Sequence, residues 1–436
     1  MIMSFVDALL AFALALAASL ALTPLAARWA ARCGAVDAPD GRRKNQPKAV
    51  PLGGGLAIAV AAAIALVSAA SVAQQFARIG EEGLLRSAIP SVVVLVIVGI
   101  ADDLVGLTGI YKLIGQTLSA SLLVAAGYRF EELSLLGFEF ALGDFGIPFS
   151  LFFCLGAINA FNLIDGADAL ASSIGAVVCL TLGVIAAAQG MVLASLLSFA
   201  TSGALVGFLR YNAPPARVYL GDAGSMLIGW IVAAVAIRCT IKEQAAVALT
   251  VPAAICAIPI LDSLAAIIRR ITTGQSVFTA DRGHLHHALM LRGWTVGQTA
   301  AVAAGLTAIT CAGAVVSFFT GYDAFALAAS IGVFAALAGA GVFGHAEVAL
   351  IAAHVKTTLQ RLRAAVRPAG RDAAEHAGQA VQLQGRCPWN VLWASLRRTA
   401  QSHRLAGMRL VVNIPHLHES FFASWKRPHS RVSDEC

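Results

Sequence analysis

Apolar and polar positions in this chain do not alternate; they segregate. Long stretches of Ala, Val, Leu and Ile carry almost no charge, and short segments between them collect nearly all the acidic and basic residues. A helix needs roughly 20 apolar residues to cross about 30 Å of hydrocarbon. The pattern predicts about eleven spans, near 4–27, 53–72, 88–101, 110–127, 149–163, 171–188, 190–209, 224–238, 245–268, 297–318 and 323–343. These runs are too long for barrel strands, and in lipid only helices and closed barrels satisfy their own backbone groups. The expected fold is therefore an all-α polytopic membrane bundle.

Composition agrees. Of 436 residues, 58% are hydrophobic and only 13% charged, where a soluble domain has about a quarter charged. The first apolar run starts at once, without a basic leader and with Asp7 near its start, so it reads as a retained span with an external N-terminus. In that orientation thirteen Lys and Arg fall in inner loops against five in outer loops, as positive-inside topology requires. The net charge of +7 then reports membrane topology, and no nucleic-acid partner is expected. The eight cysteines form no Cys-x-x-Cys pair, so neither a disulfide framework nor a zinc site is expected. Residues 1–343 read as one membrane domain. Residues 344–382 read as a helix and linker, the helix apolar early and basic late, suited to an anionic inner leaflet. Residues 383–436 read as a small cytosolic extension with one strand, MRLVVNI, one or two helices and no assigned chemistry.

The polar segments share one side of the bundle. GIADDLVGL places adjacent Asp102 and Asp103 at a span end, where two carboxylates repel unless a cation or proton lies between them; a solvated loop pair is the alternative. Lys112 follows, with Gln116 one turn deeper. NAFNLIDGADAL sets Asn159, Asn162, Asp165 and Asp168 at intervals of three. A straight helix rotates such a row by about 60° per step, so the four converge only where the helix ends or tightens. Their oxygens are of the kind Mg²⁺ prefers; a capped helix end is the plainer reading. VYLGDAGS starts a span with Asp222, and its backbone N–H groups are candidates for an anion. Asp262 lies inside an apolar span, where an ionisable group is a functional candidate. FTADRGHLHH supplies Arg282, His284, His286 and His287, which suit phosphate better than zinc. GRRKNQPKAVPLGGG joins Arg42, Arg43, Asn45 and Lys48 to a flexible Gly53–Gly55. Acids for a metal and bases for phosphates at a lipid boundary suit phosphoryl transfer.

The order and spacing of these five motifs, over about residues 35–295, resemble the polyprenyl-phosphate N-acetylhexosamine-1-phosphate transferases, the glycosyltransferase 4 family. The resemblance implies a Mg²⁺-dependent phosphotransferase, with Mn²⁺ as the alternative ion. It would pass a sugar-1-phosphate from a UDP-sugar to undecaprenyl phosphate at the cytosolic face of the inner membrane, releasing UMP, as the first membrane step of a cell-envelope polysaccharide. It implies catalytic roles for Asp102, Asp103, Lys112, Asp165 and Asp168, and metal ligation by Asn162 and Asp222. Arg42, Arg43, Asn45, Asn159, Arg282, His284, His286 and His287 are implied to bind substrate. A homodimer is the assembly considered. Three positions depart from the family pattern: Arg43 replaces Lys, Asn45 replaces His and Ala169 replaces Gly.

The His-x-His-His spacing resembles the N-acetylglucosamine branch more than the phospho-N-acetylmuramoyl-pentapeptide branch, which has three adjacent histidines. An anion transporter or a catalytically silent scaffold is the alternative from another class. A transporter should show mid-span charges and paired broken helices, and only Asp262 partly fits.

Overall fold

The computed structural model describes residues 2–38, 49–72, 81–136, 138–240, 249–273, 283–366, 378–384, 387–414 and 419–427. They form two compact units. One holds the described residues up to Ser263 together with Trp294–Val333. The other holds the described residues of Leu264–Gly293 and of the chain from Phe334 onward.

The chain begins with α1 (Ile2–Cys33), a two-residue antiparallel pair β1 (Val36–Asp37) and β2 (Val50–Pro51), α2 (Gly54–Val72), α3 (Glu81–Val105) and α4 (Gly109–Ala125). A hairpin follows, β3 (Glu132–Leu135) and β4 (Phe138–Ala141), then α5 (Gly146–Ile164), α6 (Leu170–Ala188), α7 (Val192–Asn212) and α8 (Gly221–Thr240). Next come α9 (Thr250–Ile255), α10 (Ala257–Thr273), α11 (Leu285–Leu291), α12 (Val296–Thr320), α13 (Ala324–Gly339) and α14 (His345–Val366). The C-terminal elements are β5 (Gly378–Gln384), α15 (Trp389–Ser402), β6 (Gly407–Ile414) and β7 (Glu419–Lys426).

Among the described residues, seven helices are long and apolar enough to cross a membrane: Val6–Cys33, Ser87–Val105, Gly143–Ile164, Leu170–Ala188, Val192–Asn212, Gly221–Thr240 and Val296–Thr320. Gly54–Ser68 and Ala324–Gly339 are shorter apolar helices. The protein is thus a polytopic helical membrane protein. At least 78% of the apolar stretch is buried in α6, α7 and α8, against at most 33% in the other four. These three helices are the centre of the first unit.

The expected span at 245–268 is not one helix. It breaks at Cys256 between α9 and α10. Pro259 has no N–H to give the Ile255 carbonyl four residues back, and its ring crowds that oxygen. The freed carbonyl faces the Cys311 thiol of α12, with Sγ 3.9 Å away. A similar repair occurs in α1. Pro24 leaves the Leu20 carbonyl without its helical donor, and the Tyr211 hydroxyl of α7 donates to that oxygen at 2.8 Å. In lipid no water can do this, so a neighbouring helix must. The two helices come close because α7 shows Gly203 and Gly207 to α1. A Cβ at Gly203 would lie 2.1 Å from the Phe12 carbonyl oxygen, the small-residue contact that membrane helices favour.

Two sheets depart from sequence expectation. The acidic loop after α4 is the β3–β4 hairpin. Asp323 fixes it by accepting from Leu136 N at 2.7 Å and from Thr250 Oγ1 at 2.9 Å. In the second unit, β7 is the centre of a three-stranded antiparallel sheet in the order β5-β7-β6, where one strand was expected. Trp393 and Ala400 of α15 pack on Val412, Phe421, Ala423 and Trp425. Glu419 accepts from Trp389 Nε1 at 2.9 Å and ties helix to sheet.

The repair in α1 is testable. Tyr211→Phe should lower stability by about 1 kcal/mol, seen as a lower thermal midpoint in detergent. In a Pro24→Ala background the new alanine supplies its own N–H, so the same Tyr211 substitution should then cost almost nothing. An equal loss in both backgrounds would show that the hydroxyl does not serve the Leu20 carbonyl.

Candidate active site

Four helix ends meet around one ammonium group. Asp102 and Asp103 close α3, Lys112 opens α4, Asn162 closes α5 and Asp222 opens α8. Lys112 Nζ lies 2.6 Å from Asp102 Oδ2 and 2.8 Å from Asp222 Oδ1. Asn162 donates from Nδ2 to the same Asp222 oxygen and to Ser225 Oγ at 3.0 Å. The other Asp102 oxygen accepts from Leu107 N at 2.6 Å, which holds the tight turn into α4.

Asp103 has a different task. Its two oxygens accept from Asp222 N at 2.7 Å and Ala223 N at 3.3 Å. The donors at the start of α8, read from sequence as open to an anion, are therefore held by a carboxylate of the chain itself. The helix dipole favours that charge, and the contact fixes Asp222 against Asp102. The glycines before α2 also serve the chain. Gly54 N and Gly55 N donate to the carbonyls of Tyr219 and Leu220, at 3.0 and 2.8 Å. A Cβ on Gly55 would meet Gly224 N at 2.3 Å. The glycines read from the sequence as flexible thus admit a close approach by the first turn of α8.

The row at intervals of three fans out because α5 stops at Ile164, with Asp165 as its C-cap. Asn159 lies one turn deeper than Asn162 and donates to Gln116 Oε1 at 2.9 Å and to the Leu155 carbonyl at 2.8 Å. Asp168 accepts from Ala216 N at 2.9 Å. Asn212, which sequence reading passed over, joins the two loops. It accepts from Ala169 N at 3.0 Å and Ser172 Oγ at 2.6 Å, and donates to the Val218 carbonyl at 3.0 Å. Its only signal in the sequence is a buried amide at the end of an apolar run. Ala169, where the family pattern has Gly, has φ +62°, a left-handed conformation that suits Gly and strains Ala.

Arg42, Arg43, Asn45 and Arg282 lie outside the described residues. His284, His286 and His287 belong to the second unit. The His284 and His286 rings are stacked with centroids 5.9 Å apart, and the His286 and His287 rings are 4.1 Å apart. His284 and His286 are buried. Asp262 is buried too, and it has a partner. An open hollow of about 560 Å³ beside Val124, Arg129 and Leu151 sits at the far ends of α4 and α5, away from the carboxylates.

Asp102 and Asp222 flank Lys112, and Asp103 and Asp165 add their charges nearby, which leaves three excess negative charges if all four acids are ionised. Burial raises the Asp165 carboxyl well above the usual carboxylate range, and Asp222, Asp103 and Asp168 add to the effect by repulsion. Among the described residues, no three His, Cys, Asp or Glu side chains are arranged as a ready-made metal site. The donors nevertheless fit a hard cation. Asp102 Oδ2 is buried, and its close neighbour is the Lys112 ammonium. The Asp222 carboxylate lies opposite, and turning the Asn162 amide over would present its oxygen. Carboxylate and amide oxygens are what Mg²⁺ takes, and the ammonium of Lys112 shows that the place accepts a cation.

A polytopic membrane protein with an acidic centre where its helices end is the class that fold and site define. The family model described as glycosyl transferase family 4 matches residues 85–240, the stretch that carries all the residues of this cluster. The chain is 32% identical over 285 residues to the probable undecaprenyl-phosphate N-acetylglucosaminyl 1-phosphate transferase of Bacillus subtilis, covering 65% of this chain and 77% of that protein. It is 32% identical over 306 residues to the decaprenyl-phosphate N-acetylglucosaminephosphotransferase of Mycolicibacterium smegmatis, covering 62% and 73%. It is 29% identical over 287 residues to the undecaprenyl-phosphate alpha-N-acetylglucosaminyl 1-phosphate transferase of Yersinia pestis, covering 64% and 76%. The chain belongs to glycosyl transferase family 4.

The raised Asp165 carboxyl has a pH signature. An acid whose folded pKa lies above its unfolded value near 3.8 contributes stability that is fully present below that value and lost as pH rises through the folded one. In EDTA, Asp165→Asn should therefore melt higher than the unsubstituted protein at pH 8, with the difference shrinking toward pH 4. A difference that stays constant with pH would mean that Asp165 titrates normally.

Proposed function

We propose that this protein transfers N-acetylglucosamine-1-phosphate from its UDP derivative to undecaprenyl phosphate, releasing UMP. The carrying observation is the Lys112 ammonium held between Asp102 and Asp222 where four helices end. The names of the relatives supply the substrate class. The charge bias of the loops supports a site on the cytosolic side of the membrane.

Asp102, Asp222 and Asn162 would hold a Mg²⁺ ion, whose charge offsets that of the phosphates. Lys112, freed from one of its two carboxylates, donates to a diphosphate oxygen and orients it. Asp103 keeps the start of α8 in place, which holds Asp222 in register. Arg282 and the histidines at 284, 286 and 287 are the proposed contacts to diphosphate and sugar, with Arg42, Arg43 and Asn45 on the lipid-phosphate side. Asp165 and Asp168 are proposed to face the nucleotide-sugar. A phosphate monoester has a second pKa near 6, as phosphorylated side chains do. It is then largely dianionic at pH 7 and needs little help from a base. The chemistry proposed is direct in-line attack on the sugar-linked phosphorus. A phosphosugar carried on an aspartate is the competing route.

The test is turnover in sealed vesicles with UDP-N-acetylglucosamine and undecaprenyl phosphate. Product should form when the UDP-sugar is supplied on the face carrying the basic loops, and UMP should not appear when the lipid is omitted. Asp222→Ala should cost about 10²–10³-fold in turnover, the scale of losing one electrostatic partner, with the helical fold unchanged. UMP release without lipid at catalytic rates would sink the direct route. Turnover from the opposite face would reverse the topology, and no transfer from UDP-N-acetylglucosamine, while another UDP-sugar reacts, would replace the substrate.

A further inference from the structure

Helix α14 carries aliphatic residues on its exposed side as well as on its buried one. Its inner side carries Ala346, Glu347 and Leu350, none more than 6% exposed. The Glu347 carboxylate forms an ion pair with Arg269 of α10, also buried. The outer side carries Val348, Ile351, Val355 and Leu359, exposed by 49%, 42%, 51% and 48%. Their steps of three, four and four residues draw one stripe along the helix. A helix against water keeps its exposed side polar.

Two further observations say what covers the stripe. The first is connectivity. The apolar helix α13 ends at Gly339, and Arg292 donates to the carbonyls of Ala340 (3.1 Å) and Gly341. The turn passes through Gly341 and Gly344 at φ +61° and +84°, and α14 starts at His345. So short a link, about 3.5 Å per residue at most, keeps the start of α14 close to the end of the apolar helix α13. The second is charge. From Val348 to Arg371 the sequence has Lys356, Arg361, Arg363, Arg367 and Arg371 and no acid.

We propose that α14 lies flat on an anionic lipid surface. Val348, Ile351, Val355 and Leu359 enter the boundary between headgroups and acyl chains, and the acid-free basic run of this part of the sequence supplies the attraction to anionic lipid. The Arg269–Glu347 pair fastens the other side of the helix to its own unit. This inference does not depend on the transferase reaction.

Hydrogen exchange of the full chain in single-copy nanodiscs tests it. Exchange over residues 345–366 should be about tenfold slower, well within the range of local opening energies, with phosphatidylglycerol present than in phosphatidylcholine alone. High salt should remove the difference. So should the triple variant Lys356→Glu, Arg361→Glu, Arg363→Glu, and so should Ile351→Ser with Val355→Ser. Unchanged exchange in α6, α7 and α8 shows that each variant is folded. Equal exchange in both lipids overturns the proposal. Protection found only in discs with two copies also overturns it, since a second chain would then cover the stripe.

Discussion

Excess negative charge at the meeting point of four helices is the constraint on which the rest of this molecule depends. Carboxylates at the edge of a low-dielectric bundle cannot stay ionised unless each has a partner. Three partners of different kinds meet that need. Lys112 lies between Asp102 and Asp222. The first N–H groups of α8 receive Asp103. The backbone at Ala216 receives Asp168. What is left over is net negative charge, which costs stability whenever all these acids are ionised.

The surroundings of the cluster follow from the same accounting of polar groups in lipid. Helix ends are needed to expose backbone donors and carboxylates, yet a helix end inside a bundle must be satisfied by protein. Asn212 does this for the loop after α5, and Asp102 for the turn after α3. The carbonyls of Tyr219 and Leu220 do it for the start of α2. Away from the site, Tyr211 and Cys311 answer the carbonyls released by Pro24 and Pro259. Small residues let the backbones come close enough for these exchanges: Gly203 lies against Phe12, and Gly55 against Gly224.

The strained Ala169 belongs in the same picture. Its left-handed backbone turns the chain from Asp168 into α6, and its N–H is spent on Asn212. A side chain at that position costs stability that the surrounding hydrogen bonds must outweigh. The departure from Gly thus has a local physical consequence, while the Asp168 contact to Ala216 is kept.

The sequence by itself determined the membrane class and the position of most spans, because hydrocarbon thickness demands runs of apolar residues that any reader can count. It also marked Asp102, Asp103, Lys112 and Asp222 among its candidates, because charge at a span end is rare enough to stand out, and Asn162 through its spacing of three with Asn159, Asp165 and Asp168. It did not show the hairpin at 132–141 or the strand at 419–426. Short strands with adjacent aromatics, as at Phe421 and Phe422, carry no clear period of two, and pairing partners far along the chain decide them. Only the tertiary structure divided the labour among the acids. Adjacent residues such as Asp102 and Asp103 point about 100° apart on a helix, so one reached Lys112 and the other capped α8. Which of them does which depends on where α4 and α8 stand, and that is settled by packing across more than a hundred residues of chain.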